Sequence, residues 1–156
     1  MGLMLRSLGH GNTALAAQFM KDGSSGELAA LRQLPGAVVV TAPPMIGFTF
    51  TMNEAQLRET ARQQTAFVRD VLDAIAAHHP KTIVLDELGE AVFTSLVPQE
   101  AAERLINAAL QSGETVVTGY DMPNWLEERA DYPSRIQAVK HPYETEGLPA
   151  RQGVEW

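Results

Sequence analysis

The sequence predicts an α/β domain built on a parallel sheet, because short apolar runs alternate with longer amphipathic stretches along its length. The apolar runs carry consecutive β-branched residues, as strands covered on both faces do. The stretches between them are long enough to form crossover helices. A chain of 156 residues, with 45% hydrophobic and 20% charged residues, matches one domain spanning 1–156 around one core.

The elements follow in order. Ala14 to Ala17, leading into Gln18-Phe19, reads as a buried strand, and Ala37 to Val40 as a second. Between them Gly26 to Leu34 is a short helix candidate. A loop from Pro43 to Gly47 precedes Asn53, whose side chain suits the N-cap of a long helix. Its apolar positions include Ala61, Val68, Leu72 and Ile75, with Thr65 on the same line, and it is expected to end near His78-His79-Pro80, where positive charge is favoured. Thr82 to Leu85 is the third strand. Pro98 fits the first turn of a helix reaching Leu110. Thr115 to Thr118 is the fourth strand, followed by a helix from Trp125 to Ala130, a last strand near Arg135 to Val139, and a tail from Lys140 to Trp156. A sheet of this kind binds ligands beyond the carboxyl ends of its strands.

The formal net charge of −7 argues against binding to a nucleic-acid backbone, which needs clustered Lys and Arg. With no cysteine, disulfides, thiolate catalysis and Cys-based zinc sites are excluded, and a reducing, cytoplasmic setting is the default expectation. Residues 1–20 lack the apolar core of a signal peptide, and no run is long enough to span a bilayer. The four histidines have no metal-ligand spacing, and with the net charge against nucleic acid a small molecule or a protein is the expected partner.

Ile83-Val84-Leu85-Asp86-Glu87 carries the clearest chemistry. An apolar strand that ends in two carboxylates places hard oxygen ligands where magnesium sits beside a phosphate chain. On the residues alone, the same pattern also suits an Asp86 that caps the following turn beside a solvated Glu87. No Gly-x-x-x-x-Gly-Lys-Ser/Thr occurs in the sequence, so the loop that would cradle phosphate is missing from it.

Taken together, Arg6-Ser7-Leu8-Gly9-His10-Gly11, Gln18-Phe19-Met20-Lys21, Gly26-Glu27, Gly47-Phe48-Thr49-Phe50, Leu85-Asp86-Glu87-Leu88, Thr118-Gly119, Ala130-Asp131, Lys140-His141-Pro142 and Gly153-Val154-Glu155-Trp156 resemble the ATP:corrinoid adenosyltransferase family. The resemblance implies a RecA-like P-loop NTPase fold, usually a homodimer. It also implies transfer of the 5′-deoxyadenosyl group of ATP to the cobalt of a reduced corrinoid, in cobalamin biosynthesis or salvage, with magnesium assisting. By that resemblance Glu87 ligands Mg2+ with Asp86 beside it, and Phe48 and Phe50 sit against the corrinoid, where aromatic faces fill the space left by the lower axial ligand and exclude water. An extended segment would put Phe48 and Phe50 on one face. Phe50 stands where the family often has tryptophan, and Tyr120 where it commonly has arginine. Lys140 and His141 suit either contact with a nucleotide phosphate or ribose, or a solvated tail.

In the family, a strand, a Gly-rich Lys-Thr loop and the start of a helix precede the segment matched by Arg6 to Gly11. Here only Met1 to Leu5 precede it. The expectation is therefore a fold short of its first strand and P-loop, with a gap in the sheet and weak MgATP binding. Two functions follow: adenosyl transfer, or corrinoid or partner binding without it.

Overall fold

The computed structural model describes residues 1–45, 47 and 49–154. Four parallel strands form the sheet: β1 (Ala14–Gln18), β2 (Ala37–Thr41), β3 (Thr82–Asp86) and β4 (Glu114–Val117), in the order β2-β1-β3-β4. Seven helices are present among the described residues: α1 (Gly2–Gly9), α2 (Gly26–Leu31), α3 (Glu54–His78), α4 (Leu88–Phe93), α5 (Gln99–Ser112), α6 (Asn124–Arg129) and α7 (Pro142–Glu146). The chain divides into two compact units, Met1–Pro123 and Asn124–Trp156, and the sheet lies wholly in the first.

The register explains why these runs become strands. Ala16 lies opposite Val39 on one side and Val84 on the other, and Leu15 opposite Val38 and Ile83. Each small or branched side chain therefore meets an apolar neighbour. Ala14, Ala16 and Val84 pack in one cluster with Met4 of α1 and with Leu28 and Leu31 of α2. Side-chain alternation puts Leu15, Ala17, Ile83 and Leu85, all fully buried, on the opposite face. The central strands β1 and β3 are thus covered on both faces, which is why they read as continuous apolar runs, while the edge strands β2 and β4 are only partly covered. The four strands pair in unbroken order, so the expected gap lies between no two of them, and β2 and β4 form the edges.

The helix α3 is stabilised at both ends. The Asn53 side chain accepts from the Gln56 amide at 3.0 Å while the Gln56 side chain accepts from the Asn53 amide at 2.9 Å, a reciprocal capping box. His79 closes the far end in the left-handed region (φ 46°), donating its amide to the Ile75 carbonyl. The buried line of α3 is Thr60, Gln64, Phe67, Val68, Val71 and Ile75; Val68 and Ile75 are buried as predicted, while Ala61, Thr65 and Leu72 of the predicted line are only partly so. Two polar residues lie in the buried line because each has a partner: Thr60 donates to the Met52 sulfur at 3.6 Å, and Gln64 accepts from the Met20 amide at 3.1 Å.

Three other expectations change. Residues 135–139 form no strand, and Ile136 and Val139 are exposed; alternation without a hydrogen-bonded neighbour does not make a strand. The stretch after Lys140 is not a plain tail, since α7 forms where Pro142 stands at a first turn capped by His141. The short helices α1 and α4 join the predicted set.

Substituting Asn53→Ala removes one half of the capping box and should cost about 1 kcal/mol, read as a lower urea midpoint with an unchanged slope. An unchanged midpoint would show that the box contributes nothing to stability.

Candidate functional site

Three strand ends converge on one carboxylate. Parallel pairing places Gln18 of β1 opposite Asp86 of β3, so both end the sheet on its carboxyl side. Thr118 follows β4 directly and donates its amide to the Leu85 carbonyl, which brings its hydroxyl to the same tip. Asp86 thus ends a central strand at its carboxyl side, as expected of an apolar run that closes in two carboxylates.

Both oxygens of Asp86 are engaged. Its Oδ2 accepts from Gln18 Nε2 at 3.0 Å and from Lys21 Nζ at 3.1 Å, while Oδ1 accepts from Thr118 Oγ1 at 2.8 Å. Gln18, fully buried, is itself held on the other side. Its Nε2 also lies 3.4 Å from Glu27 Oε1, and its Oε1 accepts from the Ser25 hydroxyl at 3.3 Å. Burial raises the Asp86 pKa, but the hydrogen bonds from Gln18 and Thr118, with the charge and hydrogen bond of Lys21, outweigh it and hold the carboxyl below its ordinary value.

Glu87 has the opposite environment. It occupies the left-handed region (φ 60°, ψ 12°) at the N-terminus of α4, a conformation that costs a non-glycine residue roughly 1 kcal/mol. Its amide donates to Thr118 Oγ1 at 3.1 Å. One hydroxyl therefore accepts from Glu87 and donates to Asp86, using both of its capacities. No hydrogen bond is made by the Glu87 carboxylate among the described residues. Burial raises its pKa, Asp86 and Glu90 add to the effect, and Lys21 opposes it.

Two glycines permit this closeness. A Cβ on Gly119 would lie 2.5 Å from the Glu90 amide nitrogen, and one on Gly89 would lie 3.2 Å from the Thr118 carbonyl oxygen. The Gly89 amide donates to that carbonyl at 3.0 Å, and the Asp121 amide donates to Glu90 Oε2 at 2.8 Å. The turn after β4 thus lies flat on the first turn of α4.

The reading of Asp86 as a cap for its own turn is not what the structure holds, for its carboxylate faces Gln18, Lys21 and Thr118. Glu87 is half-buried rather than solvated. Phe48 lies outside the described residues, as do Glu155 and Trp156. Phe50 is 84% exposed. The described segment around it is a 3-10 turn, Thr49–Thr51, closed by the Met52 amide donating to the Thr49 carbonyl; the expected pairing of Phe48 with Phe50 lies partly outside the described residues. Lys140 and His141 belong to the second compact unit, both exposed, and His141 Nδ1 accepts from the Tyr143 amide at 3.3 Å.

Gln18, Lys21 and Thr118 lie in segments that carry the family resemblance, but the sequence assigned none of them a role in holding Asp86. Lys21 carried one usable signal, a cation three positions past the end of a buried strand. Among the described residues no group of three His, Asp or Glu is placed to hold a metal ion. A cation here would draw on one or two carboxylates and on oxygens from water or substrate, the usual pattern for magnesium.

The two carboxylates respond to pH with opposite sign. The stability that Asp86 contributes is complete above its unfolded pKa and is lost as pH falls through its depressed folded value. Glu87, with a raised folded pKa, opposes folding once ionised, so its contribution worsens as pH rises through the unfolded and then the folded value. Thr118→Val removes the hydroxyl that joins them and leaves the Glu87 amide without its acceptor, which should cost about 1–3 kcal/mol. Thr118→Ser should retain most of the stability. Equal melting temperatures for the valine and serine variants would show that the hydroxyl is not the link.

Comparison with known proteins gives a consistent picture. The sequence profile of the family described as "ATP:corrinoid adenosyltransferase BtuR/CobO/CobP" matches residues 1–156. A corrinoid adenosyltransferase of Pseudomonas aeruginosa is 30% identical over 156 residues, covering 99% of this chain and 75% of the relative. One from Sinorhizobium sp is 26% identical over 157 residues, covering 99% and 72%.

Proposed function

Because the chain belongs to the ATP:corrinoid adenosyltransferase family, we propose that the cleft at the carboxyl end of its sheet serves transfer of the 5′-deoxyadenosyl group of ATP to a reduced corrinoid. The observation that carries this reading is the pair of unlike carboxylates at the tip of β3: Asp86 bonded by three donors and held below its ordinary pKa, Glu87 half-buried with no hydrogen bond to its carboxylate among the described residues.

The residues divide the work. Asp86, fixed by Gln18, Lys21 and Thr118, is a rigid anion that orients groups around it. Glu87 has a carboxylate available for a new ligand, and its raised pKa marks an anion that would gain from a cation. The donor set fits magnesium: Glu87 as a direct ligand, Asp86 through the surrounding shell, and the remaining positions filled by water and by phosphate oxygens. When bound there, magnesium would neutralise charge on the triphosphate leaving group. Without such a cation, Asp86, Glu87, Glu90 and Asp121 together would repel a polyanion.

Phe50 supplies the apolar half. An aromatic side chain 84% exposed on a turn just ahead of α3 suits a large flat ligand, whose burial of the ring would remove apolar surface from water. Phe48 shares the role by resemblance alone. A homodimer and a cytoplasmic setting are part of the same reading. No described helix is long and apolar enough to cross a membrane.

A second reading is favoured by one observation: residues 1–156 contain no Gly-x-x-x-x-Gly-Lys-Ser/Thr, so the backbone amides and lysine that usually cradle a triphosphate are not encoded within them. On that reading these residues bind a corrinoid or a partner without transferring the adenosyl group.

The test follows adenosylcorrinoid formation by absorbance, and ATP affinity by calorimetry, for the chain as given and for one preceded by a strand, a Gly-rich Lys-Thr loop and a helix start. Weak ATP binding by the first and turnover by the second are expected. Turnover by the second that survives Glu87→Gln undiminished would remove the carboxylate from the reaction; a fall on the order of a hundredfold is expected for a lost electrostatic partner. Phe50→Ala should weaken corrinoid binding about tenfold, the worth of one buried aromatic contact, and unchanged affinity would sink the assignment of the aromatic turn.

A further inference from the structure

Gln64 sits in the middle of α3, fully buried in a line otherwise made mostly of Phe67, Val68, Val71 and Ile75. Its Oε1 accepts from the Met20 amide at 3.1 Å, across 44 positions of sequence. A backbone amide can only donate, so this bond fixes which end of the side-chain amide is oxygen. The Nε2 is then left buried with no hydrogen-bond partner among the described residues. A glutamine here therefore carries a cost that an apolar residue of the same shape would avoid, and the oxygen must do something the packing does not.

What it does is visible in the backbone it touches. Met20 is held at φ 55°, the left-handed region that a long side chain seldom adopts. This turn reverses the chain just past β1, between Phe19, whose amide donates to the Asp86 carbonyl at 2.9 Å, and Lys21, whose Nζ reaches Asp86 Oδ2. Phe19 also packs edge-on against Phe67 with ring centroids 4.9 Å apart, one turn along α3 from Gln64. The ring contact holds the end of β1 against α3, while the Gln64 oxygen sets the direction in which the chain leaves it.

We propose that Gln64 is a positioning residue, which holds the Met20 turn in its left-handed conformation and thereby places the Lys21 ammonium on Asp86. Its effect on the acidic tip passes entirely through the backbone of Met20. α3 thus becomes a brace for the site as well as a cover for the sheet, since the same helix is tied through Thr60 to Met52 behind the aromatic turn. Nothing in this arrangement requires a corrinoid or ATP, so its test reads the protein alone and can fail independently of the adenosyltransfer reading.

The experiment measures two signals by NMR on the intact chain: hydrogen exchange of the Met20 amide, and the Lys21 side-chain ammonium resonance, visible only while Nζ is held against an acceptor. Gln64→Met removes the oxygen and keeps the bulk. It should speed Met20 exchange about tenfold, the loss of one hydrogen bond, and abolish the Lys21 resonance, while the Ala16 and Ala17 amides inside β1 exchange as before. Gln64→Glu restores an oxygen at the same reach and should preserve both signals. Unchanged signals in Gln64→Met, or loss of both in Gln64→Glu, would overturn the assignment. Should the methionine variant not fold, the glutamate variant decides: both signals retained supports the brace, and both lost refutes it.

Discussion

The first unit is organised around a carboxylate that cannot be left alone. Asp86 ends a strand whose preceding four residues are buried, and an ionised group in that position loses much of its hydration. Folding is compatible with that loss only if donors replace the water. Three do: an amide from β1, a hydroxyl from the end of β4 and an ammonium from the turn after β1. Two come from the end of β1 and one from the end of β4, so the requirement of one side chain fixes both strand ends against the tip of β3. The parallel register that sets Gln18 opposite Asp86 is the geometric condition for all of it.

That solution creates a second, less satisfied group. Once the available donors are committed to Asp86, the adjacent Glu87 is anchored through its backbone, by its amide to Thr118 and its carbonyl to the Ala91 amide, and its side chain is pressed toward its neutral form by burial and by the negative charges of Asp86 and Glu90. The strained backbone at Glu87 is over-determined by its surroundings: Thr118 takes its amide, Gly89 bonds the Thr118 carbonyl, and Gly119 lets the two turns touch. Local cost maintained by neighbouring contacts is the pattern found where a side chain must be presented rather than packed.

The strands were legible in the sequence because the central ones are covered on both faces and the edge strand β2 partly, so Ala14 to Ala17, Ala37 to Val40 and Thr82 to Leu85 are runs without polar interruption. The long helix was legible from Asn53 and its periodicity, and the acidic tip from its place after an apolar run. Other features had no such signature. α4 is a six-residue helix that begins immediately after a left-handed Glu87, and no cap in the sequence marks it. Arg135 to Val139 has the alternation of a strand, yet pairing is a property of neighbours and not of the segment. Lys21 and Gln64 escaped for a related reason: one looks like a surface cation and the other like a polar break in an apolar stripe. Only the turn between β1 and α2 shows that they act on the same group.

These two residues clarify how a cleft of this kind stays specific in its geometry while carrying like charges. If Lys21 were free to sample its rotamers, Asp86 would keep two hydrogen bonds but lose its counter-charge, and both carboxylates would move toward neutrality. The ion pair is partly exposed, with 40% of the Lys21 side chain and 17% of the Asp86 side chain accessible, so its intrinsic worth is small, below about 1 kcal/mol. Its leverage comes from position. On the proposed function, a cation arriving at Glu87 would meet an acid whose neighbour is already compensated, which would let the two carboxylates differ in role although they are adjacent in sequence and identical in charge. The asymmetry originates in the hydrogen bonds that Gln18 and Thr118 give to Asp86 and not to Glu87, and the lysine placed by the Met20 turn adds its charge to them.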